Sequence, residues 1–77
     1  MDVWGKFESV AALRNGMNLV TVKQGVASVT IRGLSGAERH PALSILHPGD
    51  DIGVFNVKCS SPGSFQETPR TAIYKMC

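Results

Sequence analysis

Two neighbouring segments of the chain alternate between apolar and polar residues, and this period of two constrains the fold more than any other feature. In residues 18–24 two valines share one side, while Thr21 and Lys23 share the other. Residues 26–32 repeat the pattern and end on Arg32. Successive side chains of a β-strand point to opposite faces of a sheet, so each segment predicts a strand with one buried face.

Gly25 separates these two strands, and its role has two interpretations. It is either the turn of a tight hairpin or a glycine bulge in one long, bent strand. The Gln-Gly pair at this point is a weaker hairpin signal than Asn-Gly, so both alternatives stay open.

The rest of the chain after this pair predicts short strands between turns. Glycine and proline punctuate it, and a proline–glycine–aspartate turn is its strongest local signal because each residue favours the turn for a separate reason. The predicted segments are a loop at 33–41, a strand at 42–47, a turn at 47–51, a strand at 52–59, a polar loop at 60–70 and a strand at 71–76.

Residues 2–15 have a helical pattern, with Val3, Phe7 and Val10 at spacings typical of one helix face. Gly16 is a plausible stop signal. Gly5 weakens the helix, so the alternative is a short strand at 3–7 followed by a helix at 9–14.

Chain length limits the architecture to one small domain spanning residues 1–77. Short strands at this spacing favour a small barrel. We therefore predict a mostly β fold, a β-barrel of the OB-like or SH3-like kind with four or five strands, and one short N-terminal helix.

Two motifs, at 13–18 and at 45–52, carry a resemblance to a known family. The run LRNGMN followed by LVTVKQGVASV resembles the entry into the first strand of single-stranded-DNA-binding OB folds of the replication protein A type, and ILHPGDDI resembles the turn before their fourth strand. The resemblance covers about half of the chain, and it implies an OB fold that binds single-stranded DNA. Only residues 33–44 lie where that family usually has a longer hairpin carrying an aromatic residue.

Basic and aromatic side chains are the candidates for such binding, because cations contact phosphates and flat rings stack on bases. The isolated Phe65 is predicted to be exposed, whereas Phe7 and Phe55 are predicted to pack in the core. The net charge of +2 gives weak support. The candidate nucleic-acid-binding residues are Lys23, Arg32, Lys58, Phe65, Arg70, Tyr74 and Lys75.

No pattern predicts catalysis, a cofactor or a metal site. None of the serines lies in a Gly-x-Ser-x-Gly motif. His40 and His47 precede prolines and are interpreted as turn residues. Cys59 is expected in the core and Cys77 as a terminal thiol, with one disulfide between them as the alternative.

The chain has no segment of membrane-spanning length and no signal-peptide pattern, which predicts a cytoplasmic protein.

The leading functional hypothesis is a non-enzymatic domain that binds single-stranded nucleic acid without strong sequence preference. The alternative is a protein-interaction module or a small inhibitor, encoded by a phage or a virus, that acts as a homo-oligomer or as a subunit of a larger complex. A homodimer would explain how so short a chain completes its core.

Overall fold

The computed structural model describes residues 1–14, 16–36 and 38–76, and the fold is mostly β, as predicted. These residues form seven strands, two more than the four or five that were predicted. The strands are β1 Val3–Ala12, β2 Asn18–Gln24, β3 Ala27–Leu34, β4 Asp51–Phe55, β5 Lys58–Ser61, β6 Ser64–Gln66 and β7 Ala72–Lys75, with a 3-10 helix at Pro41–Ser44.

The seven strands form one sheet in the order β5-β6-β3-β2-β1-β4-β7. All neighbouring strands are antiparallel except β3 and β6, which run parallel. Within the described residues, the outermost strands β5 and β7 do not pair with each other, so these strands do not form the closed barrel that was predicted.

A single hydrophobic core lies on one face of this sheet. Because the described residues form no second layer over that face, the sheet can bury it only by curling over its own side chains. Every strand except β5 contributes a buried residue, and residues of and near the 3-10 helix pack against the edge. The buried apolar residues are Val3, Phe7, Val20, Val22, Val29, Ile31, Leu34, Ile52, Val54, Val57, Phe65 and Ile73.

The predicted N-terminal helix is wrong, because β1 runs through the whole segment. Val3–Lys6 pair with β4 on one side, and Lys6–Ala12 pair with β2 on the other. Val3 and Phe7 are both buried, since a spacing of four residues satisfies the period of a strand as well as that of a helix. The alternative of a strand at 3–7 is confirmed, but its helix at 9–14 is replaced by pairing with β2.

Gly25 lies in the turn of a two-residue hairpin, in which Gln24 pairs with Ala27. The hairpin alternative is therefore confirmed and the bulge is not adopted. Gly25 has φ +65 and Val26 has no positive φ, the arrangement of a type II′ turn, which matches the twist of the flanking strands. Val26 is fully exposed at the tip.

Three further expectations after β3 are corrected. The strand predicted at 42–47 is replaced by the 3-10 helix, which starts at a proline. The strand predicted at 52–59 is split, because Asn56 takes a left-handed conformation with φ +61 between β4 and β5. The polar loop predicted at 60–70 contains β6, which pairs with β3.

A buried polar cluster joins the loop after β3 to the segment between β6 and β7. The His40 ring is 2% exposed and its Nε2 lies 2.5 Å from Glu67 Oε1. Ser35 Oγ donates to Glu67 Oε2 at 3.0 Å, and Arg39 donates to the Thr68 and Pro69 carbonyls. The cluster ties the two segments together, and His40 both ends a turn, with its N–H donated to the Gly36 carbonyl at 3.0 Å, and is a buried partner of Glu67.

Candidate nucleic-acid interface

Three aromatic side chains meet on the outer face of β1, β4 and β7, and we call Trp4, Phe55 and Tyr74 the aromatic platform. The Trp4 and Phe55 rings are 4.8 Å apart at their centroids and nearly perpendicular. The Phe55 and Tyr74 rings are 5.5 Å apart and tilted. Trp4 is 50% exposed and Tyr74 57% exposed, so the platform faces solvent.

Sheet register and one glycine explain why these rings come together. Trp4 pairs with Gly53, and Gly53 pairs with Tyr74, so the three residues form one row across the outer face. The Phe55 ring lies over Gly53, where a Cβ would be 2.9 Å from the Phe55 Cζ. The missing side chain at Gly53 therefore leaves the space that Phe55 fills.

Two lysines lie beside the platform on the same face. Lys6 pairs directly with Lys23 across β1 and β2, and Lys6 is two residues from Trp4. Lys6 Nζ forms an ion pair of 2.8 Å with Asp51, and no ion pair involves Lys23 within the described ranges. A cleft of about 650 Å³ lies between the Trp4 ring and these lysines.

The other predicted cations are distributed over the molecule. Arg32 and Lys58 both pair with Gln66, so they form a second basic row on the outer face at the β5 end of the sheet. Lys23 pairs with Ser28 of β3, and Arg32 lies four residues further along the same strand. At the rise of a strand, four residues correspond to a distance of about 13 Å. The structure thus separates Lys23 from the other two strand cations.

The cations near the end of the chain are also exposed, but they do not lie in the platform row. Arg70 lies in the turn before β7 and its carbonyl accepts a hydrogen bond from Asn56. Lys75 pairs with Ile52 and lies 3.6 Å from the carboxylate of Asp50.

Three expectations for individual side chains are wrong. Phe65 is 9% exposed and belongs to the core, because β6 places it opposite the buried Ile31. Phe55 is only half-buried and belongs to the platform. Cys59 is exposed because it lies on the edge strand β5. Cys77 lies outside the described residues, and so does the disulfide considered for it.

Two carboxylates away from the platform have lowered pKa values. The backbone N–H of His47 donates to Asp50 and, with Lys75 nearby, lowers the pKa of that carboxyl despite some desolvation. This bond closes the turn before β4. Burial opposes ionisation of Glu67, but hydrogen bonds from His40 and Ser35 outweigh it, so its pKa lies below the ordinary value.

The described residues contain no group of three His, Cys, Asp or Glu side chains that could hold a metal ion. Ser35 and His40 both contact Glu67 rather than each other, so this cluster lacks the serine–histidine bond that activates a nucleophile. No helix in the described part of the chain is long and apolar enough to span a membrane.

Sequence reasoning missed Trp4, Lys6 and Phe55 as interface residues. The signal for the first two was present, because a strand at 3–7 with Val3 and Phe7 inward places Trp4 and Lys6 on the opposite face. Phe55 carried no local signal, since its exposure depends on Gly53 and on neighbours from two other strands.

Comparison with protein-family models, curated proteins and solved structures gave no match to this chain. The aromatic platform and its neighbouring charges are therefore the features of this chain that point to a function.

Proposed function

We propose that the protein is a non-enzymatic domain that binds single-stranded nucleic acid through the aromatic platform. The observation that carries this proposal is an outward-facing Trp4–Phe55–Tyr74 cluster next to the directly paired Lys6 and Lys23. Exposed rings stack on bases of any sequence, at about 1–3 kcal/mol for each base, and lysines contact the phosphates.

The lysine pair supports a binding role rather than a structural one. Like charges directly opposite each other destabilise an antiparallel sheet. Lys6 is compensated by Asp51, whereas Lys23 has no described ion pair. A polyanion that bound here would relieve this repulsion, whereas an apolar protein surface would have to desolvate both ammonium groups.

We further propose that the curled sheet is an OB-like barrel whose last strand is divided into β6 and β7. Residues 64–66 run parallel to β3, and residues 72–75 pair with β4. The segment between them is tied down by Glu67, whose N–H donates to the Arg32 carbonyl. This connectivity supports the resemblance to single-stranded-DNA-binding OB folds, which are partly open barrels.

Of the residues predicted from sequence, Lys23 and Tyr74 belong to the proposed site, and the buried Phe65 does not. Arg32 and Lys58 are proposed as a second phosphate-contacting row that a longer strand would reach. Arg70 and Lys75 are proposed to add positive charge near Tyr74. The cytoplasmic location stays a prediction.

Intrinsic fluorescence gives a direct test, because Trp4 is the only tryptophan of the chain. Titration with a 12-nucleotide oligo-dT at 50 mM salt should quench the emission as bases stack on the ring. Affinity should fall when salt is raised to 200 mM, because phosphate contacts release counterions. If neither oligo-dT nor a 12-mer that also contains dG quenches the emission or binds at 50 mM salt, the proposal is refuted.

Variants measured by anisotropy of a labelled oligo-dT locate the site. Tyr74→Ala and Trp4→Ala should each weaken binding by about 1–3 kcal/mol. Lys23→Gln should weaken binding and reduce the salt slope by about one, whereas Arg14→Gln, an equal charge change at the far end of β1, should have a smaller effect. Equal losses in Lys23→Gln and Arg14→Gln would indicate non-specific attraction instead of this site.

A protein-interaction role is the second candidate, and the edge strand β5 is the observation that favours it. All four residues of β5 are exposed, and only one side of the strand is paired with another described strand. Unpaired edges accept strands from a partner or a second copy. Measurement of the mass in dilute solution by light scattering tests self-association: a dimer favours this role, and a monomer counts against the homo-oligomer.

A further inference from the structure

A second cleft lies beside the aromatic platform, on the side away from the two lysines. It has a volume of about 510 Å³, in the range of small-molecule sites. Its lining residues are Asp2, Phe55, Asn56, Ala72, Tyr74 and Met76.

The walls of this cleft suit a flat aromatic ligand. Phe55 and Tyr74 contribute tilted rings, and Ala72 pairs with Phe55 across β4 and β7, so a small side chain lies where a larger one would fill the space. None of the described lysines and arginines lines this cleft, whereas Lys6 and Lys23 line the cleft next to Trp4. The two clefts therefore differ in charge although they share one platform.

The polar rim of the cleft presents hydrogen-bond acceptors. Asp2 Oδ1 accepts the backbone N–H of Asn56 at 3.1 Å, which fixes the carboxylate beside the cleft. Within the described residues, Asp2 Oδ2 has no hydrogen-bond partner. Asn56 donates one N–H of its side-chain amide, at Nδ2, to the Arg70 carbonyl at 3.3 Å.

We propose that this cleft is a base-selective subsite that takes guanine through Asp2, an inference that rests on the proposed function. Carboxylates accept hydrogen bonds from bases that present N–H groups, and a carboxylate accepts two parallel donors. Guanine presents N1–H and the N2 amino group side by side. Each of the other bases places a ring nitrogen or carbonyl acceptor next to its donor, which a carboxylate repels.

The test compares oligonucleotides of equal length. We measure the binding of a labelled dT 12-mer and of the same 12-mer with dG at every third position, with inosine replacing dG in a third probe. The wild-type protein should bind the dG probe about 5- to 150-fold more tightly than oligo-dT, with the inosine probe between them because inosine lacks the N2 amino group.

Asp2→Asn should abolish this preference while it keeps an oxygen for the Asn56 N–H. Glu8→Gln is the matched control, since it removes one exposed carboxylate on β1 that does not line the cleft. Both variants should bind oligo-dT somewhat more tightly because a negative charge is lost, but only Asp2→Asn should weaken the binding of the dG probe and so bring the dG-to-dT ratio close to one. Equal thermal stability of the two variants excludes a folding effect.

The outcomes separate the two proposals. Equal affinity of the wild-type protein for all three probes, or a preference for dG that Asp2→Asn retains, overturns the subsite while nucleic-acid binding stands. Failure of every probe to bind at 50 mM salt overturns both and favours a protein partner on the platform.

Discussion

Replacement of Gly5 by alanine provides a sharp test of the fold, because two physical rules predict opposite signs. Glycine inside a strand costs about 0.5–1 kcal/mol relative to alanine, so intrinsic propensity predicts that Gly5→Ala stabilises the protein. The packing predicts the reverse. A Cβ on Gly5 would lie 2.5 Å from the Lys23 carbonyl oxygen and 2.8 Å from a methyl group of Val22.

The packing effect should be the larger one. The carbonyl oxygen belongs to the backbone of β2, whose neighbouring pairs with β1 and β3 restrict its movement, and Val22 is completely buried. Overpacking of this kind costs about 1–3 kcal/mol, and a backbone contact should lie in the upper part of that range. After the gain in propensity is subtracted, we expect a net destabilisation of about 1–2 kcal/mol.

Thermal unfolding measured by circular dichroism checks this value. For a domain of this size, 1 kcal/mol corresponds to a change in Tm of about 4–8 °C, so Gly5→Ala should lower Tm by about 4–16 °C. Gly36→Ala is the control, since its Cβ would meet only the end of the flexible Glu38 side chain at 3.2 Å, and its Tm should change little. A Tm for Gly5→Ala equal to or above that of the wild type would refute the close crossing of β1 and β2.

Three further predictions concern the buried polar cluster, the break between β4 and β5, and the core. Glu67→Gln should lower the free energy of unfolding by about 1–3 kcal/mol at pH 7. Because the pKa of Glu67 is lowered in the folded state, its stabilising contribution is complete above the ordinary glutamate pKa and is lost as pH falls through the folded pKa. Urea unfolding measured from pH 7 to pH 3 should therefore show the difference between Glu67→Gln and wild type shrinking on acidification. Asn56→Gly should change the free energy of unfolding by less than about 1 kcal/mol. Asn56→Val should be less stable than Asn56→Gly by at least about 1–2 kcal/mol, because φ is +61 at this position and a β-branched side chain is strained there. Equal stability of the two variants would contradict the left-handed conformation. Phe65→Ala should destabilise by about 3–5 kcal/mol and Tyr74→Ala by no more than about 1.5 kcal/mol, as measured by urea unfolding, and the opposite order would return Phe65 to the surface.

The hairpin of β2 and β3 shows how far local pattern predicts this fold. Its alternation places Val20 and Val22 inward and Lys23 outward, and the structure agrees. The same reasoning failed for residues 9–14, where a weak helical pattern is overridden by pairing with β2. It also failed for Phe65, whose polar neighbours in sequence gave no sign that β6 pairs in parallel with β3.

The candidate site was predictable only in part for the same reason. Lys23 and Tyr74 could be selected because the type of the residue and its face on a single predicted strand were enough to choose it. The platform could not be assembled from sequence, since its rings come from β1, β4 and β7, which are separated by long stretches of chain.

The sequence by itself determined that the described part of this chain is mostly β, because a period of two and frequent turn residues are local properties that act within each strand. It also determined which faces of β2 and β3 are polar. Tertiary structure alone decided that β1 continues as a strand through residues 9–12, that Phe65 is buried, and that Trp4 and Tyr74 flank Gly53 in one row. These outcomes depend on pairing between distant segments, where backbone hydrogen bonds and burial outweigh local preference.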